Sequence, residues 1–392
     1  MMMMTHDTIL FQMPCISVDT PVAVNIWARN IARAFSLAKI QPTLLYLGMR
    51  RAASFMENGV TYVTSPLLQS CMASLPKLSA LTYPIVQQHL LRRLSRNYGI
   101  VAPLGGPYSL RDESGKVHAV KLGGAAYLHP ILEHPNVRFP NHGEPFISTY
   151  LDSVADMYDI LMPITTYLRD LYAKHGRMKP TLQNPIVVDT SVDQEDYTSA
   201  AASTIDLLYC GNLEHHEEMM LLFDAFSEIH RSSPATRLKV VGGGCSRNSS
   251  QVLMTRYRAA CLKRGMLDSV HFHGTLPHHE VLQQYRAAHA FLLPRPFRDY
   301  SQAGFPTKIG EYLATGKPVI TTGTGDIPLY LVDGVSAYIV MDDDPVHYAR
   351  RVLEALADPG SGDIGRAGAR VARENFSIEA TADRIRVFWM SL

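Results

Sequence analysis

The chain has 392 residues, of which 46% are hydrophobic and 19% are charged, and its formal net charge is +1. This composition is that of a globular protein and excludes a disordered or fibrous chain. At this length we expect two domains, each long enough to bury its own core. Residues 1–192 carry 17 Lys and Arg against 12 Asp and Glu, and the remainder carries 20 against 24. The modestly basic first half is a weak sign of an anionic partner or surface, and we expect no nucleic-acid partner.

Several classes of protein find no support in the sequence. The five cysteines are scattered and form no C-x-x-C pair, so neither a disulfide framework nor a zinc site is expected, and a reducing, cytoplasmic compartment fits. No H-E-x-x-H or similar spacing predicts a metal site. The segment "MMMMTHDTILFQMP" lacks the basic start and long apolar run of a signal peptide. No stretch of about 18 apolar residues predicts a membrane span.

The first half mixes strand-like and helix-like runs. In chain order they are the apolar run "TILFQMP", the helical "VNIWARNIARAFSLAKI", the strand-like "PTLLYLGM" and "GVTYVTS", a mostly helical stretch from Pro66 to Gly99, the strand-like "DILMPIT" and the helical "TYLRDLYAKHG". Residues 103–145 are rich in Gly, Pro and His and are hard to assign. The stretch from Asn184 to about Thr204 has few large apolar residues after Val188, so we interpret it as the connection between domains.

A basic patch lies in the helical part of the first half. The segment "HLLRRLSRN", from His89 to Asn97, places three arginines beside leucines. A solvated helix face is the simpler interpretation. The sharper one is a patch, residues 89–96, that contacts an acceptor or the surface of a membrane peripherally.

The second half alternates strands and helices more cleanly. The runs are "IDLLYCGN", "EEMMLLFDAFSEIHRSSP", "RLKVVGGG", "SQVLMTRYRAACLKRG", "VHFHG", "PHHEVLQQYRAA", "AFLLPRP", "PVITT", "AYIVM" and "PVHYARRVLEALAD". Such alternation with short connections predicts a parallel sheet covered on both faces, as in doubly wound Rossmann-like domains. We therefore predict an α/β fold of two Rossmann-like domains facing each other across a cleft. The expected domains are 1–192, 193–372 and a C-terminal helix, 373–392, crossing back to the first domain.

The stretch "GFPTKIGEYLATGKPVITT" carries the strongest functional signal. Pro306 suits the first position of a helix, and Gly316 suits a left-handed residue just after its end, so the predicted helix runs from Pro306 to Thr315. The free N–H groups of Thr307 and Lys308 and the helix dipole favour an anion such as a diphosphate. Gly304 allows a ligand to approach the backbone closely.

Glu311 lies about one turn into this helix. A carboxylate there can accept two hydrogen bonds from a vicinal diol such as a ribose. Phosphate and ribose together indicate a nucleotide. The alternative is an ordinary capped helix with a surface glutamate.

A glycine run, Gly242 to Gly244, follows the strand "RLKVV". It is neither a G-x-G-x-x-G fingerprint nor a P-loop. Its place at the carboxyl end of a strand favours contact with a ligand. A tight turn from strand to helix explains the run nearly as well.

These motifs together resemble a known family. The ordered segments "LYCGNL", "LKVVGGG", "VHFHGTLPHHEVLQQYRAAHAFLLPRP", "GFPTKIGEYLATGKPVITT" and "ENFSIEATADRIRVFW" resemble the C-terminal half of retaining GT-B glycosyltransferases, the family-four-like group also called glycosyl transferases group 1. The resemblance covers about 206–389 and returns near "ADMYDILMPITTYLRDLYAKHG". It implies a nucleotide-diphosphate sugar as donor, a glycan, lipid-linked or small-molecule acceptor, and no cofactor or metal. It also implies that domain 1–192 binds the acceptor and that domain 193–372 binds the nucleotide sugar.

The resemblance assigns roles to individual residues. Glu311 corresponds to the second glutamate of the family's E-x7-E motif and would hold the donor ribose. The segment Gly304, Phe305, Pro306 and Thr307 would meet the donor sugar and diphosphate through its backbone. The loops that would line the nucleotide contain Gly211, Asn212, Gly243, Gly244, Thr275 and Leu276.

Three positions depart from the family pattern. Ala303 stands where the first glutamate of the motif is expected, and Asn212 and His216 to Glu217 stand where the family has an Arg and a Lys that neutralise the diphosphate. Lys308 is a candidate to compensate. In the implied mechanism the sugar leaves through an oxocarbenium-like state, and the helix start with Lys308 stabilises the departing diphosphate.

In the first domain, the resemblance assigns less. His134 in "ILEHP" falls where related sequences have an acidic residue or a histidine, so it is a candidate to touch the transferring sugar, although a structural histidine is the simpler interpretation. Two other functions stay open: a non-catalytic nucleotide-sugar-binding or partner subunit, because a fold alone does not confer activity, and a nucleotide-sugar epimerase. The sequence leaves the base, the sugar and the acceptor unassigned.

Overall fold

The structure is a computed structural model that describes residues 8–13, 23–47, 53–65, 98, 100–103, 126–131, 144–175, 179–191, 204–244 and 247–392. The chain divides into two compact units. Unit 1 comprises Met1–Val187 with Ile378–Leu392, and unit 2 comprises Val188–Ser377. The unit boundaries thus fall at 187/188 and 377/378, beside the expected 192/193 and 372/373.

The helices and strands follow one another along the chain as an α/β protein. In unit 1 they are β1 (Thr8–Met13), α1 (Ala23–Leu37), β2 (Gln41–Leu47), β3 (Ala53–Glu57), β4 (Val60–Ser65), β5 (Ile100–Pro103), β6 (Ala126–Ile131), α2 (Glu144–Met157), β7 (Ile160–Pro163) and α3 (Thr166–Lys174). In unit 2 they are β8 (Ile205–Asn212), α4 (His216–Ser232), β9 (Thr236–Gly243), α5 (Arg247–Lys263), β10 (Val270–Gly274), α6 (His278–Ala287), β11 (Ala290–Leu293), α7 (Asp299–Ala303), α8 (Thr307–Ala314), β12 (Val319–Thr322), α9 (Ile327–Tyr330), β13 (Tyr338–Val340), α10 (Pro345–Ala357) and α11 (Ser361–Phe376). The last helix, α12 (Ile378–Met390), belongs to unit 1.

Unit 1 is built on a sheet with the strand order β3-β4-β2-β1-β5-β6-β7. Its described strand pairs are parallel except β3 with β4, which are antiparallel. The sequence reading did not predict β3. Asn58 and Gly59 both have positive φ in the turn between β3 and β4, which is the backbone that an Asn-Gly hairpin requires. The Asn-Gly pair was therefore the available signal for this strand.

The core of unit 1 gathers around α1 and the sheet. Ile31 and Phe35 of α1 are four residues apart, on one face of the helix, and both are fully buried. The same buried cluster contains Ala382 and Ile385 of α12. Phe35 also meets the Trp389 ring edge-on at a centroid distance of 5.5 Å. The last helix of the chain therefore completes the core of the first unit.

Unit 2 is a doubly wound sheet in which every strand pair is parallel. Its strand order is β10-β9-β8-β11-β12-β13. Strands β9 and β10 extend from β8 in one direction, whereas β11, β12 and β13 extend in the other. The order therefore reverses between β8 and β11, and ligands of open α/β sheets bind outside the carboxyl ends of the strands at such a point.

The predicted apolar faces account for the core of unit 2. Met219, Leu222, Phe226 and Ile229 of α4 are fully buried, as their spacing predicts. Strands β11, β12 and β13 are buried along their whole lengths, which is typical of parallel strands covered on both faces. The α/β alternation predicted for the second half is therefore confirmed.

Candidate functional site

The site lies where β8 and β11 separate. The two strands pair only through Leu207 with Ala290 and Leu208 with Phe291. Beyond that point the hydroxyl of Tyr312, from α8, forms hydrogen bonds with the backbone of β8. The Cys210 N–H donates to the Tyr312 oxygen at 2.7 Å, and the Tyr312 O–H donates to the Cys210 carbonyl at 2.9 Å. A side chain of α8 thus fixes this helix against the carboxyl end of β8.

Helix α8 begins beside this opening. The structure gives it the bounds Thr307–Ala314, one residue shorter at each end than predicted. Pro306 is the N-cap with ψ of 119°, so its backbone is extended rather than helical. Gly316 has φ of 77°, the left-handed conformation predicted for it. As at any helix start, the N–H groups of Thr307 and Lys308 have no partner within the helix and are available to an anion.

The residues before α8 are held firmly. The Phe305 ring is buried, meets the Tyr330 ring edge-on at a centroid distance of 5.5 Å and lies tilted against the Phe376 ring at 5.4 Å. Its side chain is therefore part of the core, and only its backbone is left for a ligand. The Gly304 N–H donates to the Tyr300 carbonyl at 3.0 Å and ends α7. The loop is thus a rigid approach to the helix start.

Lys308 and Glu311 form an ion pair one turn apart. The Lys308 Nζ lies 2.9 Å from Glu311 Oε2, and the two side chains are 28% and 20% exposed. The Tyr285 O–H, at the end of α6, donates to the same oxygen at 2.8 Å. Burial opposes the charge on Lys308, yet the neighbouring Glu311 carboxylate raises the pKa of the lysine above its ordinary value. Lys308 is therefore held as a cation at the helix start.

The position of these donors defines what Glu311 can still accept. Both Lys308 and Tyr285 donate to Oε2. A carboxylate has about four acceptor positions over its two oxygens. The diol predicted for Glu311 is therefore expected to meet Oε1, while Oε2 anchors the side chain.

The glycine run at the end of β9 contains two glycines that are required for different reasons. Gly242 has φ of 133°, and a side chain there would overlap the Gly211 carbonyl, so this glycine is required by the contact between β8 and β9. Gly243 is different, because a methyl group there would lie 2.7 Å from the hydroxyls of both Ser250 and Thr275. The structure thus brings Gly243 and Thr275 together, while Leu276 follows in the same loop and is half-buried.

Hydrogen bonds order the loops beyond β8 and β9. The Gly244 N–H donates to Ser250 Oγ at 2.9 Å at the start of α5. Asn212 is exposed, and its Oδ1 accepts from the Glu214 N–H at 3.0 Å. Glu214 in turn accepts from Ser249 Oγ at 2.8 Å. These predicted residues lie at the carboxyl edge of the sheet, as α8 does.

Asn212, Glu217 and Ala303 stand where the family pattern has charged residues, and none of the three supplies the expected charge in the structure. Glu217, where a basic residue is expected, pairs instead with Arg298 at 3.1 Å. Asn212 offers no charge, and Ala303 is fully buried. Any positive charge near the start of α8 must therefore come from residues other than those at positions 212 and 217.

One charge that the sequence reading missed comes from Arg295, two residues after β11. It is only 8% exposed, and its Nη1 donates to the Gly304 carbonyl at 3.0 Å. The available signal was an arginine directly after a buried apolar strand, in "AFLLPRP". Tyr285 was also missed, because a tyrosine near the end of a helix has no distinguishing pattern.

Some predictions fall outside the described residues. His134 and the basic patch at residues 89–96 are among them. Among the residues that the structure does describe, no three His, Cys, Asp or Glu side chains are grouped to hold a metal ion. Within the same ranges, no helix has both the length and the apolar character needed to cross a membrane.

Comparison with known sequences supports the resemblance. Residues 204–358 match the family Glycosyl transferases group 1. The D-inositol 3-phosphate glycosyltransferase of Frankia alni is 30% identical over 171 residues, which are 41% of this chain and 40% of the relative. The chain thus spans about two fifths of the length of this relative. The expected likeness to group 1 glycosyltransferases is confirmed for that segment.

Solved structures extend the likeness to the whole fold. Sucrose-phosphate synthase from Thermosynechococcus elongatus superimposes with a TM-score of 0.72 and 16% identity over 98% of both chains. HepE from Anabaena, in complex with UDP and glucose, has a TM-score of 0.66 and 14% identity over 98% of this chain and 99% of its own. These likenesses confirm the predicted GT-B fold of two Rossmann-like units.

Proposed function

We propose that the chain is a glycosyltransferase that moves a sugar from a nucleotide-diphosphate sugar to an acceptor. The observation that carries the proposal is the start of α8, where free N–H groups, Lys308 and Glu311 lie together where β8 and β11 separate. A diphosphate suits the helix start, and a ribose diol suits the carboxylate. The names of the matched proteins, which include an inositol phosphate glycosyltransferase and a complex with UDP and glucose, support the same donor class.

The proposed mechanism centres on the leaving group. As the bond between the sugar and the diphosphate breaks, negative charge grows on the diphosphate. The N-terminus of α8 and the Lys308 ammonium stabilise that charge. An ammonium has three donors, so Lys308 can keep its bond to Glu311 and still donate to a phosphate oxygen.

The chain's own residues also orient the donor. Gly304, Pro306 and Thr307, with the backbone of Phe305, form the wall beside the diphosphate. The loops with Gly211, Asn212, Gly243, Gly244, Thr275 and Leu276 line the nucleotide. Retention of the anomeric configuration and independence of a metal or cofactor are further parts of the proposal, and they rest on the family resemblance. His134 is proposed to touch the transferring sugar.

A thermal-shift panel of UDP-, GDP-, ADP- and CMP-sugars tests the donor. A ligand at 100 times its dissociation constant stabilises a protein by about 2.7 kcal/mol. We expect the sugars of one base to raise the melting temperature, and we expect Glu311→Ala to reduce that increase. Glu374→Ala, at an exposed glutamate of α11, is the control and should leave the shift unchanged. No shift with any of these sugars, or equal shifts in both variants, would contradict the assignment.

Turnover separates the enzyme from a binding subunit. Once the donor is identified, we expect the pure protein to hydrolyse the nucleotide sugar slowly. The nucleotide sugar should be consumed faster when an acceptor is added. Binding without hydrolysis or transfer would favour a non-catalytic subunit, and a changed sugar without acceptor would favour an epimerase. The anomeric proton coupling of the product tests retention, and turnover in excess EDTA tests metal independence.

A further inference from the structure

Arg295 is fixed in place at the carboxyl end of β11. Its backbone N–H donates to Thr322 Oγ1 at 2.9 Å, and its carbonyl accepts from the same hydroxyl at 2.7 Å. The side chain is 8% exposed. Because β11 pairs with β8 at the point where the strand order reverses, the arginine lies at the edge of the proposed donor site.

The guanidinium lies directly behind the loop that precedes α8. Its Nη1 donates to the Gly304 carbonyl at 3.0 Å. A methyl group built on Gly304 would lie 3.1 Å from its Nη2. A guanidinium has five N–H donors, and this is its one side-chain hydrogen bond to the residues that the structure describes. The other donors are therefore available to a ligand or to water.

The charge of Arg295 is only loosely balanced. The acidic group that acts on it most is Glu218, which is 5% exposed and accepts the Tyr209 O–H at 2.7 Å. No described carboxylate lies within ion-pair distance of the guanidinium. Burial lowers the pKa of Arg295, while Glu218 and the phenols of Tyr300 and Tyr209 raise it. A buried cation with few hydrogen bonds gains from an anion placed nearby.

We propose that Arg295 is a positioning residue of the donor site, which holds the Gly304 loop and adds positive charge behind the diphosphate. It would serve in place of the basic pair that Asn212 and Glu217 do not supply. This inference rests on the proposed nucleotide-sugar site. The alternative is that Arg295 only ends α7 by binding the Gly304 carbonyl.

The test compares ligands with and without phosphates. UDP, GDP, ADP, inorganic pyrophosphate and the nucleosides uridine, guanosine and adenosine are titrated calorimetrically into the full chain and into Arg295→Gln and Arg295→Lys. Arg295→Gln should weaken binding of the diphosphates by about tenfold or more, since a hydrogen bond to a charged group is lost. Nucleoside binding should change by less than about twofold, because it involves no phosphate. The diphosphate affinity of Arg295→Lys should lie between those of the unaltered chain and Arg295→Gln.

The controls distinguish charge from structure. Arg231→Gln, at an exposed arginine of α4, removes the same charge far from the loop and should leave every affinity unchanged. Thermal melting checks that each variant is folded. If Arg295→Gln does not fold, Arg295→Lys carries the comparison, since it keeps the charge but loses the planar fork.

Each outcome decides the inference. Equal loss of diphosphate and nucleoside binding would show a purely structural role and overturn it. Unchanged diphosphate binding in Arg295→Gln would also overturn it, while the proposed function would stand. If the unaltered chain binds none of the diphosphates, the proposed function fails and the inference fails with it.

Discussion

Tyr285 and Tyr312 show how neighbouring side chains of one type have different roles. Their rings meet edge-on at a centroid distance of 5.6 Å, and both are buried. Tyr285 donates to the Glu311 carboxylate, whereas Tyr312 binds the backbone of Cys210. The first contact concerns the site, and the second concerns the sheet.

The first prediction separates these roles. Tyr285→Phe keeps the ring but removes one of the two donors to Glu311 Oε2 and leaves only Lys308 there. Nucleotide binding should therefore weaken by roughly five- to tenfold with little change in stability. Tyr312→Phe leaves the Cys210 backbone unpaired and should destabilise the protein by about 1–3 kcal/mol. Urea unfolding and nucleotide titration measure the two effects. Unchanged nucleotide binding in Tyr285→Phe would show that the orientation of Glu311 does not depend on this phenol.

The second prediction concerns pH. Glu311 raises the pKa of Lys308 despite its burial, so the folded state favours the charged lysine. The stability from this pair is present below the ordinary lysine pKa of about 10.4 and is lost as pH rises through the higher folded value. Lys308→Met should therefore be less stable than the unaltered chain by about 1 kcal/mol at pH 7 to 9. Urea unfolding should show that the difference in unfolding free energy between the two proteins is smaller at pH 11 than at pH 7 to 9. A difference that stays constant with pH would contradict the prediction.

Residue-scale prediction succeeded where the backbone itself carried the signal. Gly316 was predicted as a left-handed residue because its place after a helix leaves few alternatives. Lys308 was predicted at the helix start, but its bond to Glu311 was not, since long side chains choose partners only in three dimensions. Tyr285 and Arg295 were missed because their partners lie 26 and 9 residues away along the chain.

At the scale of elements, α11 reaches α8 through glycines. A methyl group on Gly365 would overlap the Gly316 carbonyl and lie 2.8 Å from the carbonyl carbon of Lys317. One on Gly368 would lie 2.6 Å from Leu313 Cδ2 of α8 and 2.6 Å from the Ser336 carbonyl oxygen. The small residues therefore let α11 approach the end of α8 closely.

The third prediction follows from that contact. Within a helix, Gly→Ala normally stabilises by about 1 kcal/mol. Gly365→Ala should instead destabilise by roughly 1–3 kcal/mol, because the backbone of residues 316 and 317 must shift. Urea unfolding gives the sign directly. A gain in stability would show that the two helices have room to move apart.

Element prediction was best where the pattern repeats. In unit 2, strand and helix alternate with short connections, and every predicted run there has a counterpart in the structure. In unit 1, β3 is one arm of a hairpin marked only by Asn58 and Gly59. The mostly helical prediction for Pro66 to Gly99 falls almost wholly outside the described residues.

At the scale of the whole molecule, unit 1 is built from two segments that are far apart in the sequence. Unit 1 contains the last fifteen or so residues of the chain, Ile378–Leu392. The buried cluster of unit 1 therefore brings together a helix near each end of the chain, α1 and α12. Its stability should depend on α12, whereas the candidate site belongs to unit 2.

The final prediction tests this division with two residues of α12. Ile385 is fully buried, and Val387 is 71% exposed. Ile385→Ala should destabilise unit 1 by about 2–5 kcal/mol through the lost packing and the cavity. Val387→Ala, the matched control, should change stability by no more than about 0.5 kcal/mol.

Native-state hydrogen exchange of the two variants reports on each unit separately. In Ile385→Ala the amides of α1 should exchange faster, because the opening free energy of unit 1 falls with the lost contact. The amides of α8 should keep their protection, and nucleotide binding should persist. Equal loss of protection in α1 and α8 would mean that the units unfold together, and the core at α12 would then support the candidate site as well.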